Sequence, residues 1–95
     1  TLIGRLIYKG LQADSFFRKG VQEQAELKWR SARADFSRAA REDPGNPYPW
    51  ARQGEIWAAR GRWARADADG YFLQAVSRYQ KALKLNPYWA EIRAT

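Results

Sequence analysis

At 95 residues the chain is one small domain at most, and its 45% apolar content, with five Trp, five Tyr and four Phe, suffices for a core with large anchors. Neither His nor Cys occurs, which excludes the commonest metal ligands, thiol nucleophiles, disulfides and His-centred triads together. Seventeen Lys and Arg against ten Asp and Glu leave a net charge of +7, an attraction toward acidic partners that salt screens.

The chain opens on Thr1, and residues 1–12 read as a lead-in or capping helix, with Leu2, Ile3, Leu6 and Ile7 on one face and Arg5 and Lys9 on the other. Gly4 and Gly10 each weaken it by roughly 1 kcal/mol relative to Ala. The stretch is too short and too charged to span a bilayer and lacks the apolar run of a secretory signal. From Asp14 to about Lys28 one stripe carries Phe16, Gly20, Glu23 and Leu27, and another carries Asp14, Phe17, Val21 and Gln24. Such a helix suits neighbours on two sides. Trp29, Ala32, Phe36 and Ala39 then keep helical order from Trp29 to Glu42. Asp43-Pro44-Gly45-Asn46-Pro47 stops that helix.

A third helix is expected from Tyr48 to Arg60, with Trp50, Gly54 and Trp57 on one face and Gly61 as the turn. The fourth is expected near Arg62, broken at Asp67-Ala68-Asp69-Gly70 and resumed from Tyr71 to Leu85 on Phe72, Ala75, Val76, Tyr79, Ala82 and Leu83. After Pro87 one more helix opens at Tyr88-Trp89-Ala90-Glu91-Ile92. The ends at Thr1 and Thr95 suggest a piece of a longer protein.

An internal repeat runs through this pattern. Thirty-four residues separate Phe16 from Trp50, Gly20 from Gly54, Trp29 from Trp63 and Ala32 from Ala66. The closing pattern Phe36, Ala39, Pro44 returns as Tyr79, Ala82, Pro87, offset by 43, which places nine extra residues near 67–75. Whether those residues lengthen a helix or break it in two stays open at this point. Trp50-x-x-Gln53-Gly54-x-x-Trp57, Ala32-x-x-x-Phe36, Ala75-x-x-x-Tyr79 and the prolines Pro44 and Pro87 resemble the tetratricopeptide repeat. Lys19 and Gln53 stand where that pattern usually has Leu, and Glu23 where it usually has an aromatic.

The resemblance implies an all-α fold, a right-handed α-solenoid of antiparallel helix pairs with about two and a half repeats. Residues 13–46 form the first repeat, 47–89 the second with its insertion, and 90–95 the start of a truncated third. The expected core is Phe16, Gly20, Trp29, Ala32, Phe36, Trp50, Gly54, Trp57, Trp63, Ala66, Tyr79 and Ala82. The glycines and alanines are expected to be notches that let paired helices approach closely.

In that family the first helix of each pair lines a concave groove for a peptide or protein segment. Carried onto this chain, the groove residues are Asp14, Phe17, Arg18, Val21, Gln24, Tyr48, Ala51, Arg52, Glu55 and Ala59, with Arg18 and Arg52 able to grip a carboxylate. A clamp for C-terminal carboxylates, which uses Lys and Asn on this face, does not fit, because Phe17, Val21, Ala51 and Glu55 stand there.

A non-enzymatic scaffold is therefore expected, with no catalytic residues, metal or cofactor and with a protein or peptide partner, acidic if the charge is used. Self-association through exposed repeat ends is a further expectation. Arg30, Arg33, Arg38, Arg41, Arg60, Arg62 and Arg65 would suit phosphates, but Asp35, Glu42 and Asp43 are interleaved and the aromatics are assigned to the core, so nucleic acid is not the expected partner. Asp67 and Asp69 fall short of a cation cage and read as turn caps.

A looser resemblance, carried by Ala13-Asp14-Ser15-Phe16-Phe17-Arg18-Lys19-Gly20 and by Pro47-Tyr48-Pro49-Trp50, is to the soluble tail of bacterial O-antigen ligase or polymerase membrane proteins. It implies contact with a membrane only through a missing part of the parent chain. The compartment is otherwise unknown.

Overall fold

A computed structural model describes residues 2–88. The side chains expected to line the lead-in (Leu2, Ile3, Leu6, Ile7), Trp89 and the third repeat at 90–95 lie outside the described residues. Those described form four α-helices and no strand: α1 Leu2–Ala25, α2 Trp29–Glu42, α3 Tyr48–Trp63 and α4 Ala68–Leu85. The all-α class is as the periodicity requires. The chain divides into two compact units, Thr1–Gly45 and Asn46–Thr95. In the first, α1 packs on α2; in the second, α3 packs on α4. Connections of three and four residues make each pair an antiparallel hairpin.

The lead-in and the first repeat helix are one continuous helix rather than two, since Gly10 passes through it with open space where a side chain would stand. Its C-terminus closes in a Schellman turn. The Lys28 N–H donates to the Glu23 carbonyl at 2.9 Å and the Leu27 N–H to the Gln24 carbonyl at 3.1 Å. Leu27 occupies the left-handed position of that turn, at φ 63°, where Gly is usual. In the 43–47 break, the Tyr48 N–H donates to Asn46 Oδ1 at 3.0 Å, which satisfies one open donor of α3.

Both hairpins close by laying an aromatic ring on a glycine. A Cβ built on Gly20 would stand 2.7 Å from the Phe36 ring, and one on Gly54 would stand 2.9 Å from the Tyr79 ring. Ala32 and Ala39 are 0% and 1% exposed in the first hairpin, and Ala75 and Ala82 are 3% and 1% exposed in the second. The second helices thus correspond at the 43-residue offset, and the first helices at 34.

Three expectations fail together, for one reason. Gly61 does not turn the chain, Trp63 is 85% exposed, and Ala66 lies exposed in the connection at residues 64–67. The nine extra residues are shared across the hairpin. Gly54 lies nine residues before the end of α3, against five from Gly20 to the end of α1. Tyr79 lies eleven after the start of α4, against seven from the start of α2 to Phe36, and the connection grows from three residues to four. Each helix therefore gains about one turn, so the insertion lengthens the pair instead of breaking it.

The added turn carries its own notch, in which a Cβ on Gly61 would meet the Phe72 ring at 2.8 Å. Gly54 and Gly61 are seven apart on α3, as Phe72 and Tyr79 are on α4, so the two pairs lie in one antiparallel register. Trp63 and Ala66 match Trp29 and Ala32 only in sequence spacing. The chain bends back instead at Asp67, which takes φ 60°, and α4 starts at Ala68, ahead of the expected Tyr71.

Candidate partner-binding surfaces

On each first helix the expected groove residues fall to the same side of the notch glycine. Phe17, Arg18 and Val21 stand around Gly20 as Ala51, Arg52 and Glu55 stand around Gly54. On α1, Asp14 and Arg18 are exposed while Phe17, Val21 and Gln24 are half-buried. Phe17 also serves the interior, its ring 5.5 Å from that of Phe36. On α3, Tyr48 and Glu55 are exposed, and Ala51, Arg52 and Ala59 are half-buried.

Each stripe holds one arginine and one carboxylate in a local ion pair. Arg18 Nε is 2.9 Å from Asp14 Oδ2, and Arg52 Nη1 is 3.6 Å from Glu55 Oε2. Such surface pairs are worth about 0.2–1 kcal/mol. An incoming carboxylate can therefore displace the resident one at small cost.

The core residues expected from the repeat are otherwise found where the notches need them, with Gly20, Ala32, Phe36, Gly54 and Ala82 buried and Phe16, Trp29, Trp50, Trp57 and Tyr79 half-buried. Several rings are roofed by cations of their own hairpin. Arg38 lies 5.6 Å from the Phe16 centroid, Arg60 lies 5.6 and 5.1 Å from those of Trp57 and Tyr71, and Lys81 lies 5.8 Å from that of Trp50. Trp57 and Tyr71 stack at 5.9 Å. Arg38 and Arg60, both in the basic cluster of the sequence, thus cover aromatic surface. Ile56 and Pro49 are fully buried core members that the repeat pattern did not mark.

The first hairpin also contains a carboxyl pair that sequence reasoning missed. Asp35 on α2 is 4% exposed, and Lys19 Nζ approaches its Oδ2 at 3.9 Å. A hydrogen bond with Asp35, then burial, then the charge of Asp35 raise the Glu23 carboxyl above its ordinary value, against the pull of Lys19 and Lys28. Glu23 Oε1 is buried and accepts no hydrogen bond. The signal lay in the departures from the repeat pattern: Lys19 stands where Leu is usual and Glu23 where an aromatic is usual, and Asp35 is their common neighbour.

In the second unit an open cleft of about 820 Å³ lies along α4, lined by Ser77, Gln80, Lys81, Leu83, Lys84 and Pro87. Among the described residues no group of three or more Asp or Glu is placed to hold a metal ion, and no helix is long and apolar enough to cross a membrane. No protein-family model, curated protein or solved structure matches the chain.

Proposed function

We propose that the protein is a non-enzymatic interaction module of tetratricopeptide type, in which α1 and α3 each offer a stripe to a segment of a partner protein. The observation that carries this reading is the division of labour on α1 and α3. Each commits its glycine face to the aromatic ring of its own hairpin. Each leaves beside it a stripe with one arginine, one carboxylate and small or apolar neighbours. Arg18 and Arg52 supply forked donors for a carboxylate, and Phe17, Val21, Ala51 and Ala59 supply apolar contact and room. The net charge of +7 favours acidic segments.

A peptide-array screen, followed by affinity measurement on selected sequences, tests the proposal. Retained peptides should be enriched in Asp, Glu or free carboxyl termini. The Arg18→Glu/Arg52→Glu variant should lose roughly tenfold or more in affinity, because an attraction becomes a repulsion. Equal retention by wild type and variant would remove the first-helix stripes from consideration.

A further inference from the structure

Helix α4 carries an apolar stripe on the side that α3 does not cover. Leu73 is 70% exposed and Val76 50%. With Gln80 and Leu83 they continue the order Leu73, Val76, Gln80, Leu83, steps of three, four and three, which is the seam spacing of helix-on-helix packing. The cleft beside Gln80 and Leu83 extends the seam toward Pro87, bordered by exposed Lys81 and Lys84. Asp69, in the first turn, is the sole acid of the helix.

We propose that this face of α4 docks an amphipathic helix whose apolar stripe is bordered by Asp and Glu. The apolar seam asks for a helical partner with matching spacing, and Lys81 and Lys84 ask for carboxylates along its edge. A second copy supplies the seam but brings the same two lysines and one acid per α4, so its charges do not complement these. A nucleic acid supplies negative charge but nothing to cover Leu73 and Val76. The surface lies on a second helix, so it does not depend on the first-helix stripes, and the Arg18→Glu/Arg52→Glu variant leaves it intact.

Two fluorescein-labelled 18-residue synthetic helices with Leu at the seam positions provide the probe, one flanked by Glu and the other by Lys. Anisotropy titration should show binding of the Glu-flanked peptide and little of the Lys-flanked one. Leu73→Ser removes exposed apolar surface only, so far-UV circular dichroism should be unchanged while affinity falls roughly tenfold. Lys84→Glu should weaken binding and flatten its dependence on salt.

Three results would overturn the proposal. One is equal affinity for both peptides or for neither. Another is Glu-peptide binding that Leu73→Ser leaves unchanged, which would reduce the effect to the charge of the whole protein. The third is a dimer in sedimentation that Leu73→Ser dissolves, which would make a second copy the occupant.

Discussion

Replacing Gly20 by Ala sets two known effects against each other at one atom. Within a helix the change should stabilise by about 0.8–1 kcal/mol, because Gly is the more flexible residue in the unfolded chain. The new Cβ, however, would stand 2.7 Å from one Phe36 ring atom and 2.9 Å from another, well inside the roughly 3.5–4.0 Å of a relaxed carbon contact. Phe36 is 0% exposed, so its ring has no solvent to swing into. Overpacking of this kind costs typically 1–3 kcal/mol. The net expectation is a loss of up to about 2 kcal/mol, and a fall of up to about 15 °C in Tm for a chain of this size.

Two companion substitutions separate the terms. Gly10→Ala meets nothing within 4 Å and should show the helix gain alone. Gly61→Ala meets Phe72, which is 40% exposed and can move outward, so it should fall between the other two. Thermal melts followed by circular dichroism at 222 nm read all three. If Gly20→Ala is as stable as Gly10→Ala, the ring does not sit in the notch and the account of both hairpins is wrong. A Phe36→Leu background should recover part of the Gly20→Ala loss, the coupling expected of residues in contact.

Two further predictions follow from strain and from charge. Leu27→Gly should raise stability by about 0.5–1 kcal/mol, since Gly accepts the left-handed backbone of the Schellman turn and Leu27, 67% exposed, gives up little packing; a melt lower than wild type would refute this. The raised Glu23 carboxyl means that the folded state binds its proton more tightly than the unfolded chain does. This contribution is full below the unfolded value near pH 4 and is lost as pH rises through the folded one. Glu23→Gln should therefore raise Tm at pH 7, with the gain shrinking to nothing below about pH 4. A gain independent of pH would show that the carboxyl pair is not its source.

Much of the candidate surface was legible because helical spacing alone separates the two stripes of α1 and of α3. The ion pairs Asp14–Arg18 and Arg52–Glu55 follow from the same spacing. What spacing does not reveal is which stripe residue also reaches inward, as Phe17 does toward Phe36. Nor does it show that Lys19, Glu23 and Asp35 form one cluster, because that needs α1 and α2 to be brought side by side. The exposed seam of α4 was hidden for a related reason. Val76 and Leu83 share one helical stripe with Phe72, Ala75, Tyr79 and Ala82 in the sequence, and only the packing of α3 shows which part of that stripe it covers.

By itself the sequence determined the helical class, the bounds of α2 and the break at 43–47, since these depend on periodicity and on backbone freedom within a few neighbours. Tertiary structure decided where nine extra residues went. Two glycines that look alike, Gly45 and Gly61, end in a turn and inside a helix, because a Phe72 ring occupies the space beside one and nothing approaches the other. In the second hairpin both ring-on-glycine contacts stand in one register, which needs the added turn of each helix. Here that put the bend at Asp67 and left Trp63, an apparent repeat of Trp29, facing solvent.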